Sequence, residues 1–225
     1  MNAAAVNIEQ LRQQVVATGR RMNAAGINQG TSGNLSVRLE DGSGLLITPS
    51  SVPYELMQPE QVVAIDWQGR PLPAVPLAAG SRPSSEWQLH ADLLRQRADL
   101  TAVLHCHSLA ATAMACHSRG IPSFHYMVAV AGGDQIRCAP YATFGTAALS
   151  AAALTAMEGL KACLLAHHGQ VSAGASLDQA LRLAIEVEAL AAMYLQACQL
   201  GEPPVLSGAE MQNVHQQMSK LLYAQ

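Results

Sequence analysis

Charge is scarce in this chain of 225 residues: Asp, Glu, Lys and Arg together make up only 13%, and Lys161 and Lys220 are the only lysines. No Lys/Arg run exists that would neutralise a nucleic-acid backbone or an anionic bilayer, and the formal net charge of −3 draws in neither. Nucleic acid and membrane are therefore not expected partners, and small molecules are. Enzymes that work through a Schiff base need a desolvated lysine, and neither lysine lies in a motif, so that chemistry is set aside. The first ten residues lack a long apolar run, so no signal peptide or anchor is read there and a cytoplasmic location is expected. A CxxC pair is also missing. The five cysteines (Cys106, Cys116, Cys138, Cys163, Cys198) are scattered and odd in number, which argues against a disulfide framework and for reduced core residues.

Apolar residues, by contrast, make up half the chain. That is enough for one large domain over 1–225, with apolar surface left to bury between subunits. Ile8, Leu11, Val15 and Met22 recur at helical spacing, and Gly26 offers a stop. Leu35, Val37 and Leu39 alternate with polar residues, Asp41-Gly42 supplies a turn, and Leu45-Leu46-Ile47 resumes, which predicts a β-hairpin. Val62 to Ile65 reads as a strand and Gly69 to Gly80 as a loop. Ser85 with Gln88 forms a capping-box pattern, placing Glu86 in the first turn of a helix. Beyond it, Thr101 to His105 reads as strand, Ser108 to Arg119 as helix and Met127 to Val130 as strand. Gly145 to Leu160 reads as helix, Ala162 to Ala166 as a buried strand, and Ser176 to Leu200 as a long helix with Glu186 and Glu188 facing outward or an interface. The alternation predicts an α/β fold.

In Leu104-His105-Cys106-His107 the histidines stand two apart near a strand end, so both project from one face while Cys106 points to the other. Such a pair grips a metal if a third ligand arrives, and His167-His168-Gly169 at a second strand end offers one. Taken alone, an HxH is as well explained structurally. Ser84, Ser85 and Glu86 open a helix, where free backbone N–H groups favour an anion such as phosphate, although serines there serve equally as caps. Gly30 to Asn34 and Thr48 to Ser51 are two further hydroxyl- and glycine-rich loops able to cradle phosphate or simply to turn. His90, His117, His125 and His215 read as surface or satisfied core residues.

NQGTSGNLSVR, LLITPSSVPYELM, PSSEW, VLHCHS, IPSFHYMVAVAGGDQIRCAPYATFGT and LLAHHG, in that order, resemble the class II aldolase/adducin family over nearly the whole chain. The resemblance implies a three-layer α-β-α fold around a mixed, mainly antiparallel sheet and a cyclic homotetramer. It also implies a divalent metal, Zn²⁺ with Co²⁺ or Mn²⁺ as alternatives, on His105, His107 and His168. Glu86 becomes an acid/base and fourth ligand in the free enzyme, and Tyr126 the proton carrier at the aldehyde oxygen. Gly33, Asn34, Ser50, Ser51, Ser84 and Ser85 become the phosphate site, and Tyr223 a lid. The implied reaction is retro-aldol cleavage of a small ketose 1-phosphate to dihydroxyacetone phosphate and an aldehyde. Family alternatives are a sugar-phosphate dehydratase, decarboxylase or 4-epimerase, or a non-enzymatic interaction module. An epimerase of this family carries aspartate where Glu86 stands, and the module lacks the histidines. Three departures stand out: Ser50-Ser51 replaces the aldolases' Thr-Gly, about eight extra residues precede Ser84, and Tyr223 is two positions out of register.

Overall fold

The computed structural model describes residues 3–221. Its spine is a seven-stranded sheet in the order β3-β2-β1-β4-β7-β6-β5, antiparallel throughout except for the parallel β5–β6 pair. Helix α1 (Ala3–Ala24) comes first, with Val15 and Met22 buried, and Gly26, at φ +72°, turns the chain away. The expected hairpin forms as β1 (Asn34–Arg38) and β2 (Gly44–Ile47), its turn closed by the Asp41 carboxylate accepting from the Ser43 N–H at 2.9 Å. Gly44 is required there, because a Cβ would lie 1.9 Å from the Ile65 carbonyl oxygen. Strand β3 (Val63–Asp66) follows, and the stretch 69–80 contributes no helix and only the Ile65–Pro71 bridge.

The remaining elements are α2 (Trp87–Gln96), β4 (Ala102–Cys106), α3 (Leu109–Cys116), β5 (Cys138–Ala139), α4 (Ala147–Ala156), β6 (Ala162–Leu165), β7 (Gly169–Gly174), α5 (Leu177–Ala197) and α6 (Gly208–Lys220). Both sheet faces are covered. On one, Leu35, Val37, Leu104, Cys106, Ala162 and Leu164 pack against α1, α3 and α5. On the other, Leu45, Ile47, Val103, Cys163, Leu165 and Val171 pack against α2 and α4. This is the three-layer fold with a mixed, mainly antiparallel sheet. Segment Leu177–Leu200 is long and apolar enough to cross a membrane, yet Leu181, Val187, Leu190 and Tyr194 are buried against the protein, as in a core helix.

Several expectations are corrected. Met127 to Val130 is not a strand: Tyr126–Ala131 forms a 3₁₀ helix that buries Val128 and Ala131 and ends at Gly132, φ +96°. A short apolar run has no period that separates strand from helix, and β5 already forms the sheet edge beside it. Ser85 is not a helix cap. Glu86 is the N-cap residue of α2, its amide faces the Ser84 hydroxyl at 3.3 Å, and its carboxylate turns inward. Glu188 does not point out either, since its carboxylate accepts from the Ala110 and Ala111 N–H groups at 2.7 and 2.9 Å and caps α3. The cysteines are all free, but Cys116 is exposed.

Candidate metal centre and active site

The three histidines meet where β4 and the β6–β7 turn end together. His105 projects from β4 onto the α2 side of the sheet and is fully buried, while Cys106 enters the opposite core. The β6–β7 turn explains the His-His-Gly spacing. His167 takes a left-handed φ of +56°, which side chains resist, and so swings His168 back toward β4. Gly169 then lies where a Cβ would sit 2.5 Å from the Cys106 carbonyl oxygen. The three ring centroids stand 4.7 to 5.0 Å apart, and one nitrogen from each lies within 4.8 Å of the others. His167 is exposed and contributes to no such group among the described residues.

An outer contact orients the His105 ring. The His105 Nδ1–H donates to the Gln170 carbonyl at 2.9 Å, which leaves the Nε2 lone pair facing inward. There it meets Nε2 of His107 at 3.1 Å. Glu86 completes the cluster, with Oε2 3.3 Å from His105 Nε2 and Oε1 3.4 Å from His168 Nε2. Oε1 is buried and has no hydrogen-bond partner among the described residues. Burial pushes all three imidazoles below the ordinary histidine value, His168 to about 4, so all are neutral at pH 7. Burial alone would raise the Glu86 carboxyl, but the facing His105 and His168 and the Asn34 amide outweigh it and hold it below the usual carboxylate range. The inward Nε2 of His105, the nitrogens of His107 and His168 and the Glu86 carboxylate thus face one small space, the donor set a divalent cation would take. His₃ plus carboxylate suits such an ion.

The hydroxyl-rich loops gather at this sheet end. Asn34, the first residue of β1, lies opposite His105 in the register and donates from its amide to Glu86 Oε2 at 2.9 Å. Gly33, at φ +71°, approaches the His105 carbonyl so closely that a Cβ would lie 2.7 Å from it. The Thr48–Ser51 and Arg82–Ser85 segments run antiparallel, through the Pro49–Pro83 bridge and the bonds Ser50 N–H to Arg82 O (2.9 Å) and Ser84 N–H to Thr48 O (3.0 Å). That zipper sets Ser50 and Ser51 alongside Ser84 and Ser85. Ser51 holds φ +61°, the left-handed conformation for which glycine is suited, so the serine carries strain of about 1–2 kcal/mol that a glycine would not.

Tyr126 stands apart from this group. It opens the 3₁₀ helix that packs with α3 and α5 on the opposite side of the sheet, is half exposed, and lays its ring on His125. Tyr223 lies outside the described residues. Sequence reasoning missed three supporting residues. Gln170 is buried and donates to Ser108 Oγ (2.7 Å) and Ala184 O (3.0 Å) while its backbone orients His105. Glu188 of α5 is the second, its carboxylate capping the start of α3, the helix that follows His107. His90 is a satisfied core residue, one of the two readings expected, fully buried with both ring nitrogens bonded, and what went unread is its bond to Asn34.

Comparison with known proteins bears on what the cluster does. The family model described as "Class II Aldolase and Adducin N-terminal domain" matches residues 13–195. This chain belongs to the class II aldolase/adducin family. A 5-methylthioribulose-1-phosphate/5-deoxyribulose-1-phosphate aldolase of Rhodospirillum rubrum is 48% identical over 204 residues, 91% of this chain and 89% of that protein. An L-fuculose phosphate aldolase of Escherichia coli is 45% identical over 202 residues, covering 89% and 90%. Among solved structures, an L-fuculose 1-phosphate aldolase superposes with a TM-score of 0.88 at 35% identity, over 93% of this chain and 96% of that one. The chain is accordingly a metal-dependent class II lyase with retro-aldol chemistry on a phosphorylated sugar, its divalent ion served by the histidine triad.

Proposed function

We propose that the enzyme cleaves a small ketose 1-phosphate between C3 and C4, giving dihydroxyacetone phosphate and an aldehyde, with Zn²⁺ on His105, His107 and His168. The observation that carries this reading is the convergence of three neutral imidazoles and one ionised carboxylate beside the hydroxyl-rich loops at one end of the sheet. His105, His107 and His168 would hold the ion, which would supply Lewis acidity to the substrate and so a sink for the electrons of the breaking bond. Co²⁺ or Mn²⁺ also suits the ligand set.

The protein's own groups do the rest. Gly33, Asn34, Ser50, Ser51, Ser84 and Ser85 hold the phosphate, and Ser50, Ser51 and Ser85 are exposed, the first two with their hydroxyls 3.4 Å apart. Glu86, a carboxylate at rest, takes up one proton from solvent and delivers it to the carbon that loses the aldehyde, returning to the carboxylate. Tyr126 takes the proton of the C4 hydroxyl and passes its own phenolic proton to solvent, so that one proton leaves O4 for each that arrives at C3. Since it lies in the opposite layer from its own triad, it reaches substrate only in the site of a second copy, which fits a cyclic homotetramer in the cytoplasm with sites at subunit boundaries.

The test is dihydroxyacetone phosphate release from a panel containing L-fuculose 1-phosphate, 5-deoxyribulose 1-phosphate and 5-methylthioribulose 1-phosphate. It is run on metal-stripped protein with and without added Zn²⁺. Release that depends on Zn²⁺ from at least one ketose supports the reading, and none from any of them rejects it.

A further inference from the structure

We infer that His90 is a positioning residue for the reaction: gripped by Ser36, it turns the Asn34 amide so that its NH₂ edge tethers Glu86 toward the three imidazoles. The catalytic half of this inference rests on the role proposed above for Glu86.

Strand β1 presents three polar side chains to α2, and together they pin the helix. Arg38 donates to the carbonyls of Leu94, Arg97 and Leu100 at the C-terminal end of α2. Ser36 Oγ lies 2.7 Å from His90 Nδ1 in the middle. Asn34 Oδ1 lies 2.5 Å from His90 Nε2, and its Nδ2 lies 2.9 Å from Glu86 Oε2 at the N-terminal end. Asn34, Ser36 and His90 are all buried, with the imidazole fully so, and each such polar atom left unpaired would cost about 1–3 kcal/mol. His90 makes no contact with solvent that would let it exchange protons with substrate, so it acts only through its neighbours.

The direction of every bond in this chain follows from how the Asn34 amide is placed. Its Nδ2, which can only donate, faces Glu86 Oε2 at 2.9 Å, and its Oδ1, which can only accept, faces His90 Nε2 at 2.5 Å. The Asn34 oxygen is then left for His90, whose Nε2 must carry the hydrogen. Nδ1 is therefore bare and accepts from the Ser36 hydroxyl. Ser36, His90 and Asn34 thus donate in sequence toward the carboxylate, each bond polarising the next. If His90 took the other tautomer, Asn34 would turn its oxygen toward Oε2, the two acceptors would repel, and the carboxylate would rotate out of reach of His105 and His168. Oε2 is the tethered atom, and Oε1, which faces His168 Nε2 at 3.4 Å, accepts no hydrogen bond among the described residues.

Two measurements on the full chain test this. The ¹⁵N spectrum of His90 in metal-free protein should show the Nε2–H tautomer, and an Nδ1–H tautomer overturns the inference whatever the enzyme's activity. In Zn²⁺-loaded enzyme, exchange of the dihydroxyacetone phosphate C–H with deuterated solvent reads the Glu86 proton step without the aldehyde half of the reaction. His90→Asn retains a partner for Ser36 but cannot reach Asn34. It should slow exchange by about tenfold or more, the usual scale for loss of an outer support, with KM and bound metal within about twofold. His90→Gln, whose amide N–H reaches Asn34, should recover most of that loss. Exchange in His90→Asn within about threefold of wild type overturns the inference, as does an equal loss in both variants. A wild-type protein that neither exchanges nor cleaves any ketose phosphate overturns the functional reading and the catalytic half with it, and the tautomer then decides the structural half alone.

Discussion

His90 should make the stability of the fold depend on acidity in a way that one substitution removes. Burial, with a smaller contribution from His105, pushes its imidazole from 6.5 to about 3. A base with a depressed folded-state value is neutral in the native protein but takes up a proton on unfolding. Its contribution is therefore intact above the unfolded-state value of 6.5 and is lost as pH falls from there toward about 3. At pH 5 the native ring is still neutral, so the size of the effect is set by the unfolded state. That pH lies about 1.5 units below the unfolded value, and at about 1.4 kcal/mol per unit the penalty is about 2 kcal/mol. For a chain of this length the same amount corresponds to a shift of about 4–8 °C in Tm. The assay is urea unfolding of wild type and His90→Gln at pH 7 and pH 5 in the presence of a chelator, so that metal binding does not enter. Carboxylates and the other histidines contribute to both proteins and cancel in the comparison. Wild type should lose about 2 kcal/mol more than the variant between the two pH values. Equal losses would mean that the native His90 ring is already charged at pH 5, and the bond directions assigned to Ser36, His90 and Asn34 would fall.

Further expected outcomes concern the site directly. His105→Ala or His168→Ala should abolish stoichiometric metal binding and activity while His117→Ala does neither, and full metal in His168→Ala, read by atomic emission, would remove it from the ligand set. Glu86→Gln should fold and keep phosphate affinity but lower turnover by about 10² or more; a rate within about threefold of wild type would move the proton step elsewhere. Ser85→Ala should weaken dihydroxyacetone phosphate binding by calorimetry without changing metal content, and unchanged affinity would take Ser85 out of the phosphate site. Deleting residues 219–225, which contain Tyr223, should slow cleavage and relax aldehyde selectivity with zinc and phosphate affinity intact, and unchanged kinetics would deny the tail a lid function.

Much of this was legible in the chain itself. The i, i+2 spacing of His105 and His107 put both on one strand face because strand side chains alternate, and that local geometry needs no tertiary knowledge. The hairpin followed from its Asp-Gly turn and alternating apolar residues. The start of α6 was written too, in Ser207 and Glu210, whose capping box forms in the structure although the segment was not read as a helix. Other features were not local. The alternation in Asn34-Leu35-Ser36-Val37 suggests a wet face and a dry one, yet α2 covers the polar side and both faces are buried. Sequence has no term for which helix will lie over a strand, so the partnership of Ser36, Asn34 and His90 was invisible. The same holds for Glu86, whose place in the first turn was read but whose inward turn was not, and for Tyr126, close to the other motifs in sequence but set on the far layer. Local periodicity determined which residues could serve a metal and a phosphate. Only the packing of α2 and the 3₁₀ helix on opposite faces of the sheet decided which of them share a site, because that depends on contacts between segments distant along the chain.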